Sequence, residues 1–273
     1  MKVLQADFAQ EFIRLADDGW QLRFHERNGG NLSYRIPQDC IEEVKEDLNF
    51  SGEWVEIGTS VPALANEFFM VTGSGKYFSD ISRIPEQTCC IAEINETGDK
   101  YRIVWGLTQG GRPTSEFPTH LMNHEVKKLA SDGKMRVIYH CHPANIIAMT
   151  FVLPMTDKAF TKALWESMTE CPVVFPAGVG VIPWMVCGGR EIAVASAEKM
   201  KQYDVLVWAH HGIFCAGEDF NITFGLAHTV EKSAEIYVKV RSMGGEKLQT
   251  ITKQNFIDLA KEFHLDLNMD MLD

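Results

Sequence analysis

The chain has little positive charge. It carries 26 Lys and Arg against 37 Asp and Glu, a formal net charge of −11 over 273 residues. No basic run could track a phosphate backbone, so nucleic acid and anionic membrane surfaces are not expected partners. A small anionic substrate stays open, but its site has to be built locally from backbone N–H groups and a few polar side chains. Long apolar runs are missing as well, and nothing approaches the ~20 residues of a membrane helix. The opening MKVLQADFAQEFIRL is charged along its length and lacks the apolar core and cleavage site of a signal peptide. The seven cysteines include the neighbours Cys89 and Cys90 but no CxxC. An odd number without repeated spacing argues against a disulfide framework and for a reducing, cytoplasmic setting. Two nucleotide fingerprints are also absent. Tyr77 follows Thr72-Gly73-Ser74-Gly75-Lys76 and breaks the GxxxxGK[ST] spacing, and no GxGxxG occurs.

What is present suits a folded protein with a sizeable core: 45% hydrophobic and 23% charged residues. Strand-like and helix-like stretches alternate, with no repeat and no low-complexity linker. Phe8, Phe12 and Leu15 fall at helical spacing within 7–19. Strands are expected at 32–36, 68–72, 101–105, 136–142, 171–175 and 205–208. Helices are expected at 117–130, 157–168, 191–202, 223–243 and 254–263, the fourth stopped by Gly244-Gly245. The acidic stretch 37–66 reads as an insertion or a loop-rich excursion. The expectation is a single α/β domain over 1–273, with one main sheet covered by helices.

The chemistry gathers in a few places. In Tyr139-His140-Cys141-His142, strand alternation points His140 and His142 to one face and Cys141 to the other. Two imidazoles on one face can share a cation, although hydrogen-bonded strand-end histidines would look the same. A further ligand is on offer in His210-His211-Gly212, which follows the apolar run 205–208; alternation alone leaves open which histidine faces the site. Three His with an open position is a set that a catalytic divalent ion uses, most often Zn²⁺. In Arg112-Pro113-Thr114-Ser115-Glu116-Phe117-Pro118, Thr114 and Ser115 are good helix caps and Glu116 lies beside them. Free N–H groups and two hydroxyls there could hold an anion; a plain cap with a helix-dipole Glu is the simpler account. The Gly-rich loops 28–31 and 72–76 can each form a backbone nest for phosphate, or can be only turns. Together these parts suggest a phosphorylated substrate whose oxygens bind a metal.

The segments HERNGGNLSYR, VTGSGKYF, PTSE, HCHPAN and HHG, in this order, resemble the class II aldolase/adducin family through the whole chain. Two further segments, LWESMTECPVVFPAGVGVIPWMV and EKSAEIYVKVRSMGG, resemble its ketose-1-phosphate aldolases. The resemblance implies a three-layer α/β/α domain with a mainly antiparallel sheet. It also implies one Zn²⁺ per subunit on His140, His142 and His211, with His210 in no such role. Glu116 becomes the catalytic acid/base. Phosphate binding falls to Asn28, Gly30 and Asn31, to Ser74 and Gly75, and to Thr114 and Ser115. Glu170 matches an acidic residue that reaches the active site of a neighbouring subunit, and a homotetramer with sites between subunits is implied. The expected substrate is a phosphorylated ketose. The alternatives are an aldolase for another ketose 1-phosphate or a 4-epimerase on the same metal site, a dehydratase using the same metal and carboxylate, and a non-catalytic adducin-like interaction protein.

Overall fold

A computed structural model of the chain describes residues 1–272. Its strands are β1 (Asn31–Ile36), β2 (Val55–Glu56), β3 (Phe68–Thr72), β4 (Cys89–Ile94), β5 (Lys100–Gly106), β6 (Val137–Cys141), β7 (Gly180–Ile182), β8 (Val205–Trp208) and β9 (Gly212–Gly217). They form one sheet in the order β2-β5-β4-β3-β1-β6-β9-β8-β7. Every neighbouring pair is antiparallel except β7 with β8.

Period-two alternation explains how the sheet is covered. Tyr34 of β1 packs against Phe8 and Phe220, which belong to the helices Asp7–Gln21 and Phe220–Ser242. Phe12 meets Phe220 edge-on between those helices. On the opposite face, Phe69 packs edge-on against Phe117 of the helix Phe117–Ala130, and a buried cluster of Val71, Ala92, Ile94 and Leu121 continues that layer. Asn31, Ser33 and Arg35 lie on this second face. Their polarity there decides the chemistry described below.

Several expected elements end elsewhere, for physical reasons. The run 171–175 is not a strand: Cys171–Val174 is a short helical turn with Pro172 in its first positions. Proline cannot donate to a sheet ladder and suits a helix start. The long helix begins at Phe220 because Asp219 accepts from the Ile222 N–H at 2.8 Å. Strands β4, β7 and β9 carry no alternation to read, since each is buried on both faces. Residues 37–66 are less loop-like than their composition suggests. They hold a helix, Gln38–Val44, and the edge strand β2, with Ile41, Val44, Val61 and Leu64 buried.

One ionisable group supports the segment after β6. Glu231 accepts from the Asn145 and Ile146 N–H groups, both at 3.0 Å, and from the Asn145 amide at 2.7 Å. It thus satisfies the first orphan donors of the helix Ala144–Met149. Glu231→Ala leaves those buried donors unpaired and is expected to cost about 2–4 kcal/mol. Thermal unfolding should record a Tm lowered by roughly 5–10 °C, and Glu231→Gln, which keeps one acceptor, should lose less.

Candidate metal centre and active site

Sheet register assembles the site. His140 is paired across the ladder with Asn31 on one side and Phe214 on the other. Its ring stacks on Phe214 with centroids 4.1 Å apart. His142, just past the end of β6, brings its Nε2 to 3.2 Å from His140 Nε2. The third imidazole comes from the tight turn between β8 and β9. There His210 adopts φ +59, a conformation side chains rarely take. The turn carries His210 away to Thr150, 3.0 Å from its Nδ1, and sets His211 Nε2 3.3 Å from His140 Nε2. Gly212 follows because β9 presses close to β6 here: a Cβ on it would lie 2.2 Å from the Cys141 carbonyl oxygen. Cys141 is buried in the main core and pairs with Ile213.

The protonation states follow from the partners. His140 Nδ1 donates to the Ile213 carbonyl at 2.9 Å, and His142 Nδ1 donates to Glu26 Oε1 at 2.8 Å. With each Nδ1 occupied, the two Nε2 atoms are the ring nitrogens left to face each other across the gap. Burial resists protonation. It holds His140 well below the usual imidazole range and pushes His211 down to about 4, with repulsion from His142 adding to both. A cation resolves the conflict. Nitrogen donors about 2.0–2.1 Å from a tetrahedral ion stand ~3.3 Å apart, which matches the separations of 3.2 Å and 3.3 Å in the structure. The donor set fits a borderline-soft divalent ion.

Glu116 lies on the open side, its Oε2 3.5 Å from His140 Nε2. Burial raises its carboxyl above the usual range, and a hydrogen bond from Asn31 opposes this. That bond, Asn31 Nδ2 to Glu116 Oε2 at 2.7 Å, is the end of a buried chain. His120 Nε2 bonds to Asn31 Oδ1, Ser33 Oγ meets His120 Nδ1 at 2.6 Å, and His124 Nε2 meets Ser33 Oγ at 2.8 Å. Burial keeps both histidines neutral, His120 down to about 3. Asn31 must donate to the carboxylate, so its Oδ1 accepts from His120 Nε2–H. His120 Nδ1 then accepts from Ser33, and Ser33 accepts from His124. Every donor points toward Glu116.

Of the other sequence-expected residues, Gly30, Ser74, Gly75 and Thr114 belong to loops that the fold brings side by side. The Asn31 amide reaches Thr114 Oγ1 at 3.1 Å, Thr114 N–H donates to the Thr72 carbonyl at 2.9 Å, and Ser74 N–H donates to the Arg112 carbonyl at 2.9 Å. Gly30 has φ +77, and a Cβ there would lie 2.7 Å from the His140 carbonyl oxygen, so this loop needs a glycine. Asn28, Gly75 and Ser115 are exposed and Thr114 is buried. Thr114 and Ser115 do not cap the following helix: Glu116 itself is the N-cap residue, and Thr114 Oγ1 accepts from its N–H at 3.3 Å. Glu170 stands apart from this group. It is exposed and lines a cavity of about 640 Å³ with Glu166, Thr169, Gln249 and Asn255.

Sequence reasoning missed Glu26, which orients His142, and the Ser33–His120–His124 chain. The spacing of His120 and His124, one helical turn apart on a helix that follows Glu116, was a signal for the second.

Residues 10–238 match the family described as class II aldolase and adducin N-terminal domain. A rhamnulose-1-phosphate aldolase of Mannheimia succiniciproducens is 46% identical over 261 residues, covering 96% of each chain. That of Klebsiella pneumoniae strain 342 is 43% identical over 271 residues, 99% of this chain and 98% of the relative. Among solved structures, a sugar-phosphate aldolase from Thermotoga maritima superposes with TM-score 0.74 at 24% identity, covering 88% of this chain and 97% of the other. An L-fuculose 1-phosphate aldolase superposes with TM-score 0.61 at 20% identity, covering 95% and 97%. At such identities the superpositions speak for the fold, an α/β sheet flanked by helices. The sequence matches go further: the chain belongs to the class II aldolase and adducin N-terminal domain family.

Proposed function

We propose that the chain cleaves L-rhamnulose 1-phosphate by a metal-dependent retro-aldol reaction, giving dihydroxyacetone phosphate and L-lactaldehyde. The observation that carries the reading is the convergence of the Nε2 atoms of His140, His142 and His211 beside a buried carboxylate. The near-full-length similarity to rhamnulose-1-phosphate aldolases supports the choice of substrate. His140, His142 and His211 would hold one Zn²⁺ per subunit, which supplies a Lewis acid for the ketone and hydroxyl oxygens of the substrate.

The rest falls to the chain's own side chains. Breaking the C3–C4 bond turns the C4 hydroxyl into the aldehyde carbonyl, its proton passing to solvent, and leaves an electron pair on C3, conjugated with the C2 carbonyl. Glu116 delivers a proton to that carbon in cleavage and removes the same proton in the condensation direction. Its raised affinity for a proton, caused by burial, suits a group that must be both acid and base near neutral pH. Asn31, held by the His120–Ser33–His124 chain, keeps the carboxylate in one orientation. The loops carrying Asn28, Gly30, Asn31, Ser74, Gly75, Thr114 and Ser115 would bind the phosphate through N–H and O–H donors, as an acidic protein requires.

Glu170, exposed on a loop, would act on the aldehyde end in a neighbouring subunit of a homotetramer. A cytoplasmic setting accords with seven free cysteines and with the absence, among the described residues, of any helix long and apolar enough to cross a membrane. The test is a panel of L-rhamnulose 1-phosphate, L-fuculose 1-phosphate and ribulose 5-phosphate, assayed for released dihydroxyacetone phosphate. The largest kcat/KM is expected for the first. Release from fuculose 1-phosphate alone, or epimerisation without release, would replace this reading with one of its neighbours on the same site.

A further inference from the structure

The loop 24–30 leads into β1, and the Gly29 N–H closes its turn by donating to the Glu26 carbonyl at 2.6 Å. Beneath it lies an imidazole that the chemistry above does not use. His25 is 5% exposed and stacks on the Phe78 ring, with centroids 3.5 Å apart and planes 7° from parallel. Its Nδ1 lies 2.9 Å from the Gly29 carbonyl oxygen, and its Nε2 lies 2.7 Å from the Tyr139 hydroxyl. A carbonyl can only accept, so Nδ1 carries the hydrogen. Burial pushes His25 down to about 3. The ring is therefore neutral, and Nε2 accepts from the Tyr139 hydroxyl. Tyr139 precedes His140 in β6, is fully buried and points to the opposite face of the strand. Two glycines leave space for this pair. A Cβ on Gly19, in the helix Asp7–Gln21, would lie 2.9 Å from His25 Nε2, and one on Gly30 would lie 2.5 Å from His25 Nδ1.

The bond from Nδ1 fixes more than one carbonyl. The Gly29 C=O and the Gly30 N–H belong to one peptide, which is planar and trans, so they point in opposite directions. With the oxygen drawn inward to His25, the Gly30 N–H is turned away from the imidazole, and among the described residues it meets no protein acceptor. A glycine on each side lets that peptide turn over at little cost. Turned over, it would present an oxygen where an anion needs a donor. We infer that His25 is a positioning residue for the phosphate end of the substrate. Held in one tautomer by Tyr139, it locks the Gly29–Gly30 peptide with the N–H toward the phosphate. The inference rests on the phosphate reading of this loop given above and adds the group that enforces it. His25 makes no bond to substrate; its effect passes through the peptide. The loop is thus divided between two side chains. Glu26 orients His142, and His25 sets the donor for the anion.

Two probes divide the substrate between them. Inorganic phosphate carries the anion without the ketose, and dihydroxyacetone carries the ketose without the anion. Each is measured as an inhibitor of the metal-replete enzyme. His25→Phe keeps a flat ring against Phe78 and removes the donor. It should raise the Ki of phosphate about tenfold, the effect of one hydrogen bond to a charged group, and leave the Ki of dihydroxyacetone unchanged. KM for the phosphorylated ketose should rise by the same factor, with kcat held within about twofold. His25→Asn, whose amide N–H can take the place of Nδ1–H, should recover most of the loss. Tyr139→Phe deletes one oxygen and frees the tautomer, so it should raise the phosphate Ki by a smaller factor; it also decides the matter if His25→Phe does not fold. An unchanged phosphate Ki in either His25→Phe or Tyr139→Phe overturns the lock. So does a rise in both Ki values together, which is a general disturbance of the site. If phosphate fails to inhibit the unmodified enzyme, the loop is not a phosphate site and the role of His25 falls with that reading.

Discussion

Glu116→Gln is expected to leave the metal content unchanged and to lower turnover by about 10²–10⁴-fold, the range that a positioned general acid/base contributes. Gln is close to isosteric, and its amide oxygen can accept the Asn31 Nδ2–H that the carboxylate accepts in the structure. The buried chain from His124 to Asn31 therefore remains satisfied, and the fold has no reason to relax. What is lost is the proton. The sharpest readout is exchange of the C3 hydrogen of dihydroxyacetone phosphate with deuterated solvent, which needs no aldehyde and isolates Glu116's own step. Exchange at the unmodified rate in a metal-replete Glu116→Gln protein would assign the acid/base role to another group.

The second large effect separates two adjacent histidines. His211→Ala removes a nitrogen 3.3 Å from His140 Nε2 and leaves two imidazoles for a divalent ion. Loss of a supporting group costs ~10–100-fold in metal affinity; loss of a ligand should exceed that, so bound zinc after dialysis should fall to near zero. His210→Ala removes a ring that packs against Phe151 and bonds to Thr150, and should leave zinc stoichiometry near one. Its cost is confined to the turn, where a residue with φ +59 is replaced by one that tolerates that conformation no better. Equal zinc loss in the two variants would refute the choice of ligand.

The parts of the site legible in the sequence were those fixed by local geometry. Alternation puts His140 and His142 on one face, and their Nε2 atoms do lie together. The same rule could not choose between His210 and His211, because the left-handed turn at His210 interrupts the alternation. Resemblance to the family supplies that choice. Position 116 was read beside a helix cap, yet Glu116 is itself the cap position; helix ends depend on which tertiary bonds are available, and Thr114 is occupied by Asn31. The apolar run 171–175 reads as a strand, but Pro172 opens a helical turn there instead. Doubly buried strands have no polar rhythm: β3, β6 and β8 were legible only as apolar runs, whereas β4 and β9, diluted by Cys, Ala, Glu and Gly, were not. The proton-directing chain lay beyond reach for another reason. It joins residues 31, 33, 116, 120 and 124 across the sheet–helix interface, and only the register of β1 with its neighbours brings them together.

That register also bears on how the chain folds. The three imidazoles lie in or directly flank strands that hydrogen-bond to one another: β6 pairs with β9 from Val137↔Gly217 to Cys141↔Ile213, and β9 pairs with β8. Closure of the 71-residue separation between His140 and His211 is thus accomplished by the sheet. On the proposed reading an ion would arrive at a finished cradle, unlike one whose ligands are gathered only by metal, as in small zinc domains. Its contribution to stability is then that of any late-binding ligand, growing with the logarithm of free metal to about 2.7 kcal/mol at a hundredfold excess over Kd. Metal-free protein should have native topology, and its folding rate should be set by strand pairing rather than by the supply of zinc.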